Sequence, residues 1–407
     1  MKQSILFTKT KKETIKEDSR NAQLLLRGGF INKDMAGVYT YLPLGFRVLK
    51  KIEEVIRVEM EETMEAQEVL MSALHSIDNY RKTGREEIDV LFHTELSSGG
   101  ELVLGQSHEE VIVPLLRGFL NSYRDLPIGI YQIQTKFRNE LRAKSGILRG
   151  REFLMKDLYS FHSNEEDFKD YYERAKNAYL NIFNKVGLGE CTYFTFADGG
   201  TFSKYSHEFQ TVTDAGEDII YLCRKCSVAI NKEIIEEQSS CPQCGGKDLE
   251  KLKSIEVGNI FPLGTRFSKA FELTYKDNSG KDNYPIMGCY GIGVSRLMGS
   301  VVEVLSDEKG IVWPEVIAPF RVHLISIGED EKATEIYEKL LKEGIEVLFD
   351  DRDKGAGEKF ADADLIGVPF RVVVSGKTLK EDSVEIKKRN KEESNLVKIE
   401  KFISYVK

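Results

Sequence analysis

The stretch "DLPIGIYQIQTKFRNE", residues 125–140, restricts the folds open to this chain more than any other segment. Tyr131, Ile133, Thr135 and Phe137 fall on one parity, and Gln132, Gln134, Lys136, Arg138 and Glu140 on the other. Side chains alternate across a sheet, so this period-two pattern reads as a strand with one apolar and one polar face. After the loop "LRAKSGILRG", "REFLMKDLYSFH" gives a second strand in which Phe153, Met155, Asp157 and Tyr159 share parity. Ser163 with Glu166 predicts a capping box opening the helix "EDFKDYYERAKNAYLNIFNKV", which stops at Gly187. Upstream, Phe46, Leu49, Ile52, Ile56 and Met60 recur at helical spacing and predict a long amphipathic helix over 45–65.

Beyond Pro319 the texture changes. "PFRVHLISIG", "IEVLFDD" and "PFRVVVSG" read as strands, and "DEKATEIYEKLLKEG" and "EKFADADLIG" as helices. That alternation predicts βαβ units and a largely parallel sheet, with a boundary near residue 317. At 407 residues there is room for more than one core. No apolar run approaches the roughly 18 residues of a membrane span. The start, "MKQSILFTKTKKETIKEDSR", lacks an apolar signal core, so the expected compartment is the cytoplasm and the six cysteines are expected as thiols. A net charge of −8 argues against coating DNA wholesale and leaves room for local basic patches.

Cys223 and Cys226 form one short-spaced pair and Cys241 and Cys244 another. Two such pairs suit a closed tetrahedral Zn²⁺ site, structural because it keeps no open position. Buried thiols or a redox pair are the alternatives. No G-x4-G-K-[ST] occurs, which excludes a P-loop. "MGCYGIGVSR", residues 287–296, carries Gly288, Gly291 and Gly293 and ends on Arg296. Two arginines on separate elements, Arg138 and Arg296, suit a triphosphate or an anionic transition state. Phe153 offers a stacking face.

These residues carry a resemblance. "FRNE" followed by "GREF" resembles motif 2 of the class II aminoacyl-tRNA synthetases, "GCYGIGVSR" motif 3, and the helix over 45–65 running into "EAQEVLMSAL" motif 1. More closely, "GVYTYLPLGFRVLKKIE", "SHEEV", "YQIQTKFRNE", "REFLMKDLYSFH", "SHEFQ", "EVGNIFPLGT" and "GIVWPEVIAPF" resemble bacterial-type prolyl-tRNA synthetases, in order along nearly the whole chain.

The resemblance implies an α+β fold: a class II antiparallel sheet flanked by helices, a small four-cysteine zinc module and a C-terminal α/β anticodon-binding domain. On that basis residues 1–215 and 255–316 form the catalytic domain, 216–254 the zinc module and 317–407 the anticodon domain. It implies ATP-dependent activation of L-proline and transfer to tRNA(Pro), with Mg²⁺ and structural Zn²⁺, in a homodimer. By the same resemblance, Arg138 bridges the α-phosphate and the proline carboxylate, and Arg296 holds the γ-phosphate. Glu140 meets the adenine amino group, Phe153 stacks on the ring, and Glu208 and Gln210 lie near ribose and Mg²⁺. Ser107, Glu109, Met155, Asp157, Tyr159 and His207 are implied around proline. Asp351 and Arg352 are expected at anticodon base edges, and Lys354 and Lys359 at phosphates.

The chain also departs from the family pattern. Too little chain lies between 163 and 286 for the usual editing domain, so no editing in cis is expected. Ser72 replaces the motif 1 proline, Ser107 a threonine and Gln106 a proline, and Thr201-Phe202-Ser203-Lys204 stands where a glycine-rich stretch is usual. A non-charging paralogue that binds tRNA or an amino acid as a regulator is the rival reading.

Overall fold

The computed structural model describes residues 1–13 and 15–407, which divide into two compact units. One comprises Met35–Val38 and Glu53–Ser300; the other comprises Met1–Asp34, Tyr39–Ile52 and Val301–Lys407.

Among the described residues, the first unit is organised by a nine-stranded sheet. Eight of its strands are β1 (Ile128–Phe137), β2 (Glu152–His162), β3 (Thr192–Asp198), β4 (Tyr205–Val212), β5 (Asp218–Cys223), β6 (Val228–Asn231), β7 (Glu250–Gly264) and β8 (Ile286–Gly293). They run in the order β4-β3-β6-β5-β7-β8-β2-β1, with Gln67–Glu68 at the edge beyond β1. Pairing is antiparallel except between β3 and β6 and at that edge segment. β4 also pairs with β7, which closes β4, β3, β6, β5 and β7 into a circuit.

Register decides what each strand presents. Gln132, Asp157, Gly291, Asn259 and Glu208 lie opposite one another in succession from β1 to β4, and therefore share one face. The neighbouring row, Tyr131, Leu158, Tyr290, Ile260 and His207, takes the opposite face. Helix α1 (Glu165–Lys185) covers that second face: its Tyr171 and Tyr172 rings tilt against Tyr290, and Tyr179 packs on Phe209. The first face is apolar toward one end, where Tyr159, Phe161, Met287 and Cys289 join Ile112, Phe267 and Leu273 in a core, and polar toward the other.

The predicted helix termini shift slightly. Asn164, not Ser163, caps α1 by accepting from the Asp167 N–H, because Asn164 is the extended residue that precedes the first turn. Gly187 adopts the left-handed conformation (φ +85°) that ends it. The upstream helix runs Pro43–Val58 and closes with one wider turn, Glu59–Thr63. Leu49, Ile52, Ile56 and Met60 are buried as the stripe requires, but Phe46 is 52% exposed, with the Lys50 ammonium 5.4 Å from its ring.

In the second unit, β9 (Val322–Ile327), β10 (Val347–Asp350), β11 (Phe370–Ser375), β12 (Ser383–Lys388) and β13 (Ser394–Lys398) run in the order β10-β9-β11-β12-β13. The first three are parallel, as the βαβ pattern demands; β12 and β13 add antiparallel pairs. Helix Asp330–Lys342 contributes Ile336 and Leu340 to the core beneath. Among the described residues, no helix is long and apolar enough to cross a membrane.

Candidate active site

A cavity of about 330 Å³ opens on the polar end of the sheet's first face. Ser107, Arg138, Glu140, Phe153, Met155, Asp157 and Arg296 line it, together with Glu256, Asn259, Phe202, Gly291 and Gly293. A side chain at Gly291 would project beside Met155 into this space, so a bare backbone there keeps the cavity open.

The polar face of β1 is therefore not a solvent face. Lys136, 0% exposed, pairs with Asp157 Oδ1 at 2.7 Å, and Gln132 donates to Asp157 Oδ2 at 3.0 Å. Lys136 Nζ also donates to His108 Nδ1 at 2.9 Å, so His108 donates from Nε2 to the Ser72 carbonyl at 3.0 Å. Burial, and then the Lys136 charge, push the His108 imidazole down to about 3, which keeps it neutral. Burial alone would raise the Asp157 carboxyl, but Lys136 holds it below its ordinary value. Replacing Lys136 by methionine leaves that carboxylate buried and unpaired. The expected cost is roughly 3–5 kcal/mol, read from the midpoint of urea unfolding.

Arg138 and Arg296 both reach the cavity. Arg296 is anchored by the Leu148 carbonyl (2.8 Å), the Glu256 carbonyl (2.8 Å) and the Glu256 carboxylate (3.1 Å). Arg138 lies 5.3 Å from the centre of the Phe153 ring, and its buried Nε has no hydrogen-bond partner. Burial and the nearby Arg296 guanidinium push the Arg138 guanidinium below its ordinary range, against the opposing pull of Glu256, Glu140 and Glu109.

Glu109 stands behind Ser107. It is fully buried, and its Oε2 accepts from Ser107 Oγ, while Oε1 has no donor. The Cys289 thiol is pushed well up by burial and then by the Glu109 charge. A buried carboxylate oxygen without a donor is a place for a cation.

Tyr159 does not line the cavity. Its hydroxyl lies one layer below, donating to Asp157 Oδ2 and accepting from the His108 N–H, both at 2.8 Å. His207 is not brought to the cavity either. Its row faces α1, where it bonds the Tyr172 hydroxyl (2.8 Å) and stacks on Phe194 (4.7 Å), as a structural histidine does. Glu208 lines an adjoining cavity of about 270 Å³ that shares Arg138, Glu140, Glu256 and Arg296 with the first. Gln210 sits behind Glu208 and donates to it at 2.9 Å. Burial, and then the Glu256 charge, push the Glu208 carboxyl up to about 8.

The sulfurs of Cys223, Cys226, Cys241 and Cys244 all lie within 4.8 Å of one another, and those of Cys223 and Cys244 are 3.8 Å apart. Zn–S bonds of about 2.3 Å set tetrahedral S···S edges of about 3.8 Å, so the four fit a zinc ion. Burial works against it, but backbone N–H groups of Cys244 and Gln243 bring the Cys241 thiol down to about 7. The predicted module is not a separate lobe. β5 and β6 weave it into the sheet.

Of the anticodon candidates, Lys359 is buried, its ammonium donating to the Ser326 (2.8 Å) and Asp350 (3.3 Å) carbonyls. Arg352 is held between Asp350 (2.6 Å) and Asp362 (2.8 Å), and Asp351 accepts from Ser4 N and Oγ. These two cations brace the unit from within and do not present themselves to a phosphate. Lys354 is exposed, 3.3 Å from Glu358.

Sequence reading missed Arg85, Lys136, His108 and Glu256. Lys136 shares the parity of Arg138, and that signal was sufficient to find it. Arg85, in "TGREEID", carries none, since only folding sets it against Glu109 and Glu110.

Residues 92–305 match the "tRNA synthetase class II core domain (G, H, P, S and T)" and residues 320–407 the "Anticodon binding domain". A proline–tRNA ligase of Bacillus pumilus (strain SAFR-032) is 32% identical over 567 aligned positions, covering 100% of each chain. That of Sulfurihydrogenibium sp. (strain YO3AOP1) is 33% identical, covering 96% of this chain and 97% of that one. A crystal structure of prolyl-tRNA synthetase from Cryptosporidium parvum, complexed with L-proline and AMP, shares the fold with a TM-score of 0.77 at 19% identity. It covers 95% of this chain and 73% of that chain. With a class II core, an anticodon-binding domain and end-to-end identity of this order, the chain belongs to the family of the proline–tRNA ligases.

Proposed function

We propose that this chain activates L-proline with ATP and passes the prolyl group to the 3′ end of tRNA(Pro). The observation that carries this reading is the charge layout of one cavity. Arg138 reaches it with an unpartnered Nε and Arg296 reaches it from its anchor on Glu256, while Glu109 stands behind Ser107 with an unpartnered oxygen. The proline carboxylate is ionised at neutral pH, so it attacks the α-phosphate of ATP without a protein base, and pyrophosphate leaves. The protein's task is to hold two repelling anions in line and to meet the charge that grows on the phosphate. Arg138 is read as bridging the carboxylate and the α-phosphate, Arg296 as holding the outer phosphates, and Phe153 and Glu140 as taking the adenine. Glu109, with Ser107, takes the imino cation, and Met155 and Asp157 bound the ring.

Glu208 and Glu256 are the residues that would hold Mg²⁺. A carboxyl pushed up to about 8 beside a second carboxylate is one that a divalent cation relieves. When bound, Mg²⁺ supplies neutralisation of phosphate charge. Residues 317–407 serve as the anticodon-binding domain, with Lys354 the surviving phosphate candidate. Exposed Leu70, Leu74, Leu115 and Phe119 support a homodimer.

The deciding measurement is ATP–pyrophosphate exchange against each amino acid. Exchange that depends on proline supports the ligase; binding of proline or tRNA without exchange favours the regulator. Editing in cis is not expected. The alignment with the Bacillus pumilus ligase covers the whole of this chain, yet 160 of its 567 positions face no residue among these 407. Purified protein is therefore expected to leave Ala-tRNA(Pro) intact, and rapid release of alanine would count against this.

A further inference from the structure

We propose that Phe202 sets the size of the amino-acid end of the cavity, and that Arg85 beneath it is the positioning residue that aims Glu109. The inference rests on the prolyl reading above. Phe202 lines the cavity and tilts against Phe261 with ring centres 4.7 Å apart, so the two rings form an apolar wall. Beneath the wall lies Arg85, only 1% exposed, its guanidinium 4.3 Å from the centre of the Phe202 ring and 5.5 Å from that of Phe267. The loop bearing Phe202 is pinned in turn, because Arg266 donates to the carbonyls of Thr201 and Phe202.

Two rings against one guanidinium fix the plane of its fork. Arg85 Nη1 donates to Glu110 Oε1 at 2.9 Å and to Glu109 Oε2 at 3.3 Å. Ser107 Oγ donates to the same Oε2, so the carboxylate is held by one oxygen and offers the other, Oε1, without a donor. One buried guanidinium thus faces two buried carboxyl groups, and their one acceptor position without a donor is Glu109 Oε1. The imino cation of the substrate fills it. The charge is recognised through Glu109, while the ring that bears the charge meets Phe202 and Phe261. A ring one methylene larger meets that wall first.

The test is ATP–pyrophosphate exchange by the full chain and the variants Phe202→Ala, Phe202→Leu and Arg85→Lys, with L-proline and its six-membered-ring homologue L-pipecolate. An apolar pocket separates one methylene by roughly 10–200-fold in kcat/KM, and wild type is expected within that range. Phe202→Ala is expected to narrow the preference about tenfold, through a higher KM for proline and admission of pipecolate, with the KM for ATP unchanged. Phe202→Leu, which keeps apolar bulk, restores part of the preference. Arg85→Lys is expected to raise KM for both rings by a common factor without changing kcat or their ratio. An unchanged preference in both Phe202 variants overturns the size role, and an unchanged proline KM in Arg85→Lys overturns the positioning role. Wild-type protein without proline-dependent exchange overturns the prolyl reading itself and the inference with it.

Discussion

Replacing Arg138 by lysine is expected to lower kcat for proline-dependent ATP–pyrophosphate exchange by roughly 10²–10³-fold, the usual cost of losing one donor aimed at developing charge. The charge survives the substitution and the fork does not. Lysine presents a compact point charge on a flexible stem and cannot grip a carboxylate and a phosphate oxygen in one plane. The buried Nε without a partner, beside Phe153 and close enough to Arg296 to be shifted by it, is what makes this position so sensitive. Arg138 Nε makes no hydrogen bond within the protein, whereas Arg296 is anchored by Glu256 and Leu148. Folding is expected to be unharmed, since no protein contact of Arg138 Nε is lost, and an unchanged thermal transition checks this. A rate near wild type in Arg138→Lys would remove the residue from the reacting centre.

The second large effect is expected at the four cysteines. Bound zinc at a structural site contributes on the order of 10 kcal/mol, comparable with the ~5–15 kcal/mol net stability of a whole domain. Here Cys223 closes β5, Cys226 sits in the turn to β6, and Cys241 and Cys244 lie in the loop before β7; the pair of Cys223 with Val228 opens the return along β6. β5 also pairs with the start of β7, from Ser254 back to Glu250, so a zinc ion held by the four sulfurs would tie together one side of the strand circuit. Cys241→Ser, or removal of zinc by a chelator, is therefore expected to loosen residues 218–254 and lower the thermal midpoint by more than any surface substitution. Metal analysis gives the zinc content, and amide exchange along β5 and β6 locates the loosening. Zinc-loaded wild-type protein with a melting curve matching that of Cys241→Ser would refute it.

Much of the fold was legible in the sequence because it is written in local periodicity. Alternation in 125–140 and 151–162 gave two adjacent strands of the first sheet, and the βαβ texture after Pro319 gave the second sheet. The cysteine spacing gave the cluster, since short loops confine two sulfurs whatever surrounds them. Arg138, Glu140, Phe153, Met155, Asp157 and Arg296 share one cavity because strand parity and a glycine-bearing turn already carry side-chain direction. What parity within one strand cannot give is its register against the next. Tyr159 has the parity of Asp157 but lies one row deeper, where the same face has become core. His207 is adjacent in sequence to Glu208 and for that reason alone faces α1 instead of the site.

The sequence by itself determined the class of fold, the two arginines that share the cavity and the cluster of four cysteines, all features set by spacing over a few residues. Tertiary structure decided which charges are free to work. It buried Lys359 and locked Arg352 between two aspartates, removing both from any surface role. It closed the polar face of β1 over the Lys136–Asp157 pair, and it carried Arg85 to Glu109 and Phe202 onto Arg85 from distant segments. The reason is the same in each case: a charge is read from one residue, but its partner and its solvent are set only when the chain is packed.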